Sequence, residues 1–354
     1  MILALNRPQL LNGSKSRLIL SCLLFIILLS CKGKEENSSF EMRGEVFRTS
    51  YLIKYHQDKI KKDLRDEIQA CLDSFNLSLN PFNEKSIIYK VNNNMDVEVD
   101  DWFITVFNKA QEVSRISEGA YDITCAPLIN LWGFGFENIE NVNQNVIDSL
   151  KQFIGYNKVR LQGRKVIKED PRLQLNASSI AKGYACDVIA QLLDSHGIIN
   201  YMIEIGGEIH AKGHNSKGEY WKVIISKPID DYTGATNELQ EIISLKNTSL
   251  ATSGNYRNYY IKEGKKYTHT INPLTGYPSE GNILSASVIY PNCMTADAYA
   301  TAFMVLGLEK ACFIADRIPQ MDYLFIYSDK DGNFQEKKSL HFETNNSRSN
   351  GKVF

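Results

Sequence analysis

Across its 354 residues the chain has no C-x-x-C pair, no Walker A loop, no G-x-S-x-G and no H-E-x-x-H. The first absence removes thiol-rich zinc sites and thioredoxin-like redox centres. The others remove P-loop nucleotide hydrolysis, the nucleophile elbow of serine hydrolases and the helical zinc proteases. Charge of one sign is missing too. With 40 Lys and Arg against 41 Asp and Glu, and a net charge of −1, no bulk field draws a nucleic acid, so partners must be recognised at local sites. No internal repeat is visible, and the longest apolar stretch falls short of the roughly 20 residues that a membrane-spanning helix needs.

That stretch, residues 18–29, follows Lys15 and Arg17 and ends in Leu28-Leu29-Ser30-Cys31. A basic region, a short apolar core and a small residue before cysteine have the form of an export signal. The arrangement resembles a bacterial lipoprotein signal, in which Cys31 is the lipidated first residue of the mature protein. The expected organisation is a signal peptide at 1–30, a polar tether at 31–43, a catalytic domain at 44–343 and a polar tail at 344–354. The expected location is a bacterial membrane, with the protein facing the periplasm or the cell exterior. Beyond Cys22 and Cys31, five cysteines remain at 71, 125, 186, 293 and 312. Scattered and odd in number, they fit buried thiols acting as small apolar residues.

The periodicity predicts an α+β fold. Alternation at 45–55 predicts a strand, and helical spacing at 58–75, 102–117, 146–153 and 179–196 predicts four helices. Short strands are expected at 158–161, 165–168, 200–205, 221–225, 239–245, 259–262, 267–271 and 282–290. Helices from Thr295 and Glu309 then precede a last strand at 323–327. Neighbouring strands with helices inserted unevenly argue against a regular βαβ repeat.

Several segments carry more polar and glycine punctuation than packing requires. Near the end of the chain, Thr295-Ala296-Asp297-Ala298 opens a helix of strong core formers. Positions i, i+3 and i+4 share a helix face, so Asp297, Ala300 and Thr301 point together. Hard oxygens gathered near a helix start suit Mg²⁺. They equally suit a capping aspartate and a threonine bonded one turn back. Ser117 to Gly135 holds aromatics and glycines able to form a flat wall for a planar ring, or a helix end with an aromatic turn. In Leu175-Asn176-Ala177-Ser178-Ser179-Ile180-Ala181-Lys182, a strand end passing into a helix exposes N–H groups to an anion. Lys182 falls in the first helical turn, where a purely structural cation is disfavoured. Gly206-Gly207 lacks the dinucleotide fingerprint and marks a bulge or a tight backbone approach. His269 stands at a strand end beside Asn272-Pro273-Leu274-Thr275-Gly276, a position open to proton transfer or to an ordinary half-exposed histidine.

Taken in order, Gly119-Ala120-Tyr121-Asp122, Asn130-Leu131-Trp132-Gly133-Phe134-Gly135, Ile180-Ala181-Lys182-Gly183-Tyr184, Ile205-Gly206-Gly207-Glu208, Ala251-Thr252-Ser253-Gly254, His269-Thr270-Ile271-Asn272-Pro273 and Thr295-Ala296-Asp297-Ala298 resemble the FAD:protein FMN transferases, the ApbE-type flavin transferase family. The resemblance implies mixed, largely antiparallel sheets with helices packed around an FAD cleft, and Mg²⁺ as cofactor. It also implies transfer of FMN from FAD to a Ser or Thr hydroxyl of an exported or membrane redox protein, with AMP released. It implies Asp297 and Thr301 as side-chain metal ligands, with carbonyl contacts from Ala300 and the Ser179 position. Phe47, Ala120, Tyr121, Asp122, Asn176, Lys182 and Ile271 would line the FAD site, and His269 would transfer the proton. The chain departs from the family pattern in Asn272 and Asn176, where Asp is common, in Arg48, often glycine, and in Cys125, usually a small apolar residue. An FAD pyrophosphatase giving FMN and AMP, and a non-catalytic flavin-binding lipoprotein, are the alternatives.

Overall fold

A computed structural model describes residues 38–57, 62–135, 142–227, 239–255, 259–262 and 265–342. The export signal, Cys31 and the polar tail lie outside the described residues. In chain order the elements are β1 (Ser38–Val46), β2 (Thr49–Gln57), α1 (Arg65–Leu79), α2 (Ile87–Asn92), α3 (Asp101–Ile116), α4 (Ala126–Leu131), α5 (Gln144–Lys151), β3 (Val159–Gln162), β4 (Lys165–Lys168), α6 (Ala181–Ser195), β5 (Asn200–Ile205), β6 (Glu208–Lys212), β7 (Trp221–Ser226), β8 (Leu239–Leu245), β9 (Thr248–Gly254), β10 (Tyr259–Lys262), β11 (Lys265–Thr268), β12 (Ile283–Tyr290), α7 (Cys293–Leu306), α8 (Leu308–Ala315), β13 (Asp322–Ser328) and β14 (Phe334–Lys338). No helix among the described residues is long and apolar enough to cross a membrane.

An eight-stranded sheet in the order β1-β2-β5-β6-β9-β12-β13-β14 forms the frame, and every pairing in it is antiparallel. One face is covered by helices, whose core includes Val188 and Ile189 of α6 and Phe303 and Met304 of α7. On the other face the β7–β8 ribbon packs Trp221, Val223, Ile225, Ile243 and Leu245 against Leu250, Ile289, Leu324 and Ile326 of the sheet. With both faces covered, β12 is almost continuously buried instead of alternating, as a doubly covered strand should be. A smaller cluster joins α4 and α5 through Leu128, Leu131, Trp132, Ile147 and Ile271.

Several boundaries differ from the sequence expectation for local reasons. The alternation at 45–55 spans two strands, because Val46 and Thr49 pair across a two-residue turn. Phe47 and Arg48 in that turn have φ of 53° and 62°, the left-handed conformation that a tight hairpin demands even without glycine. Strand β1 begins at Ser38, inside the stretch whose polarity suggests a tether. Gly206 and Gly207, with φ of 64° and 100°, form the matching turn between β5 and β6, so β6 follows where the sequence suggests a bulge. The segment before Asn176 makes only an isolated bridge, Cys125 with Gln174, and is not a strand. Strand β11 ends at Thr268, short of the expected 271. The segment around Pro127, one reading of which is an aromatic turn, is the helix α4. Strand β14 follows the expected last strand, and its side chains are mostly exposed, which leaves no apolar alternation to detect.

Helices α6 and α7 approach so closely at Gly183 that a Cβ there would lie 2.4 Å from the Cys293 carbonyl oxygen and 2.7 Å from the Asp297 Cβ. Neither obstacle is the end of a flexible side chain. Gly183→Ala, which in an open helix gains about 0.5–1 kcal/mol, should here cost about 1–3 kcal/mol by overpacking. Thermal unfolding of the variant tests this, and an unchanged or raised melting temperature would refute the close contact.

Candidate active site

Ala120, Tyr121, Asp122, Asn176, Ser179, Lys182, His269, Ile271, Asp297 and Thr301 line a single cleft of about 650 Å³. Phe47 and Ala300 are not among its lining residues. The Phe47 ring packs edge-on against Phe75, with ring centroids 5.4 Å apart. Ala300 is fully buried in α7, which presents Asp297, Thr301 and Val305 to the cleft. The i+4 positions therefore share the cleft face, while i+3 turns into the core.

Asp297 does not cap its helix. Asn292 does, accepting the Thr295 N–H at 2.9 Å. One turn farther in, Asp297 Oδ2 accepts the Gly183 N–H at 2.9 Å, one of the amides that the first turn of α6 cannot satisfy internally. Its other oxygen is left to the cleft. The Thr301 hydroxyl lies 3.1 Å from that of Ser253 on β9, so a strand and a helix each bring an oxygen to the same wall.

Lys182 is the second residue of α6, and its ammonium reaches Glu208 Oε1 at 2.5 Å. Burial alone would push this ammonium down, but the charges of Asp297 and Glu208 and the hydrogen bond to Glu208 overcome that and raise it. Burial also pushes the Asp297 carboxyl up, against the opposing charge of Lys182. Glu208 is driven up to about 7 by burial, which outweighs its pairing with Lys182. Two buried carboxyls thus share one ammonium, and Glu208 Oε2 finds no hydrogen-bond partner among the described residues. That deficit of positive charge suits an added cation. No group of three or more His, Cys, Asp and Glu side chains converges among the described residues. The oxygens present match Mg²⁺, which needs only one or two carboxylates when water and substrate phosphates complete its shell.

The remaining residues set the shape of the cleft. Asp122 accepts the Thr124 N–H at 2.8 Å and the Tyr156 N–H at 2.7 Å, and burial raises its carboxyl despite these bonds. The Ser179 hydroxyl donates to the Tyr121 hydroxyl at 3.1 Å. Asn176 accepts the Ser178 N–H at 2.8 Å, and Asn272 accepts the Leu274 N–H at 2.9 Å. Both are turn formers whose task needs a single acceptor oxygen. Ile129 and Phe134 line the wall with Cys125. Trp132 instead stacks on Tyr267 at 5.4 Å and donates its indole N–H to the Gly276 carbonyl at 2.8 Å. That bond, with the Ser279 hydroxyl donating to the Met304 carbonyl at 2.9 Å, fixes the loop carrying His269. The half-buried His269 ring faces the Phe134 edge, with centroids 6.4 Å apart. Arg48 lies over Phe82, a residue of the cleft lining, with its guanidinium 4.8 Å from the ring centre.

The family model described as the ApbE family matches residues 47–325. A Vibrio cholerae relative named FAD:protein FMN transferase is 36% identical, over 90% of this chain and 95% of its own length. A Haemophilus influenzae relative of the same name is 32% identical, over 92% and 96%. Among solved structures, the flavin transferase ApbE from Vibrio cholerae superimposes with a TM-score of 0.78 at 34% identity, covering 87% of this chain and 99% of the other. The apo flavinyl transferase ApbE of Pseudomonas stutzeri gives 0.76 at 28% identity, covering 87% and 96%.

The position of Glu208 carries a pH signature. Its carboxyl rises from an ordinary 4.5 to about 7 on folding, so its contribution to stability is complete below about pH 4.5 and is lost as pH rises through 7. Without added metal, the melting temperature of Glu208→Gln minus that of the parent protein should increase between pH 5 and pH 8. A difference that stays flat over this range would remove the raised carboxyl.

Proposed function

This chain belongs to the ApbE family, and we propose that it transfers FMN from FAD to a Ser or Thr hydroxyl of a target protein, releasing AMP. The observation that carries the proposal is one cleft holding Asp297, Thr301, Lys182 and His269 together. An FAD diphosphate repels an incoming hydroxyl oxygen, and the leaving AMP must accept further charge. Lys182, held charged in the floor of the cleft, offsets part of both. Asp297 and Thr301, beside the Ser179 position, would hold Mg²⁺, which when bound would supply Lewis-acid polarisation and charge neutralisation.

The acceptor oxygen forms a bond to the FMN phosphorus as the anhydride bond to AMP breaks, and the bonding electron pair leaves with the AMP phosphate. His269 takes the hydroxyl proton, a contribution worth about 10²–10⁴-fold for general bases. Ile129, Phe134 and Tyr121 provide apolar wall for the flavin ring, while Asp122 and Asn176 fix the turns on either side. The acceptor is an exported or membrane redox protein, and Cys31 holds the enzyme at the membrane.

Protein lacking residues 1–31, incubated with FAD, Mg²⁺ and a candidate acceptor, should release AMP and add one FMN mass to the acceptor in equal amounts. AMP without a mass gain would indicate the pyrophosphatase, and intact FAD a non-catalytic binder. Asp297→Ala should abolish Mg²⁺-dependent turnover while remaining folded, and normal turnover would refute the metal assignment. In the full chain, Cys31→Ala should move the protein from the membrane to the soluble fraction; retention in the membrane would overturn lipid anchoring.

A further inference from the structure

The carboxylate of Asp187, on α6, is buried behind the cleft and is not among its lining residues. Its Oδ1 accepts the Cys293 N–H at 2.8 Å and its Oδ2 the Met294 N–H at 2.9 Å, the first two amides of α7. Nδ1 of His210, on β6, lies 2.8 Å from Oδ1. In return, Asp297 of α7 accepts the Gly183 amide of α6 at 2.9 Å. Each helix start is therefore held by a carboxylate from the other. The exchange closes around the Gly183 contact, where a Cβ would lie 2.4 Å from the Cys293 carbonyl oxygen. His210 extends the clamp to the strand that begins with Glu208, the partner of Lys182. Asp187 and His210 both line a second cavity of about 610 Å³, which shares no lining residue with the first.

We propose that Asp187, supported by His210, is a positioning residue for the metal site: by holding the first two amides of α7 it sets the rotation and depth at which Asp297 and Thr301 face the cleft. The inference rests on the reading of Asp297 and Thr301 as Mg²⁺ ligands. A carboxylate can accept both amides and the imidazole N–H at once. An isosteric amide offers one acceptor oxygen and turns an N–H₂ group against a backbone donor. Loss of that fit displaces the first turn of α7, and Asp297 lies one turn beyond it.

The test uses the full chain as parent, Asp187→Asn and His210→Ala, with Mg²⁺ affinity measured calorimetrically in the presence of FAD and FAD affinity measured without metal. Asp187→Asn should bind Mg²⁺ about tenfold more weakly, the scale found when residues behind metal ligands are changed, and His210→Ala about threefold more weakly. FAD affinity without metal should stay within about twofold of the parent for both. Turnover by Asp187→Asn should recover at high Mg²⁺. A purely structural residue would lower the melting temperature and leave the Mg²⁺ affinity of the folded protein unchanged, which overturns the proposal. Should Asp187→Asn fail to fold, unchanged Mg²⁺ affinity in His210→Ala overturns it equally. Absence of Mg²⁺ binding by the parent would instead refute the metal reading on which the inference stands.

Discussion

Two helices in this protein begin side by side, and the first turn of each is buried. An α-helix leaves its first four amides without partners inside the helix, and leaving such donors unpaired away from water costs roughly 1–3 kcal/mol each. Asp297 meets Gly183 of α6, while Asp187 meets Cys293 and Met294 of α7. The exchange is possible only because Gly183 has no side chain to meet the Cys293 backbone and the Asp297 Cβ. The two helices then lie against the sheet with Asp297 and Lys182 on the same side, and the cleft is built outward from that pair.

The second consequence is electrostatic. Lys182, Glu208 and Asp297 come from α6, β6 and α7; the two carboxyls are buried and the Lys182 side chain is partly buried. Three charged groups so buried are costly unless they balance, and here two acids face one base. The imbalance faces a cleft proposed to take a dianionic diphosphate, which by itself would worsen the repulsion of the acids. A divalent cation there would bring the carboxyls, the ammonium and the phosphates closer to neutrality together. On the proposed function, metal and nucleotide binding would be coupled by charge, each lowering the cost of the other.

Much of this was legible in the sequence, and the part that was not has a common cause. The α+β class follows from alternation and helical spacing, and Asp297 and Thr301 follow from the four-residue period of one helix. Lys182 is the instructive case. A cation in the first turn of a helix opposes the helix dipole, which signals a counter-charge without saying where it lies. Its partner Glu208 is 26 positions away, across a hairpin turn that the glycine pair foreshadows only as a backbone irregularity. Asp187 reads as one of several polar residues on α6, and its partners at 293 and 294 lie 106 and 107 positions away. Long-range pairs between a side chain and a backbone amide leave no periodic trace, so the clamp was invisible. Ala300 shows the limit of the i+3 rule for side chains: its methyl group is fully buried, while Asp297 and Thr301, four apart, line the cleft.

The Asn residues at 176 and 272 bear most directly on whether the cleft is a working site or a relic. Read from sequence, each replaces a carboxylate and suggests lost chemistry. In the fold each amide oxygen accepts a backbone N–H two residues ahead, at 2.8 and 2.9 Å, a turn-forming bond that Asn and Asp make alike. The exchange therefore leaves the turn-forming bond of each segment intact. A decayed site should lose first the arrangement that is costly to keep. Here a partly buried ammonium, two buried carboxyls and a helix contact that excludes even a methyl group meet in one place. Such groups are costly to bury unless they are balanced, so their presence together argues for a cleft that binds charge.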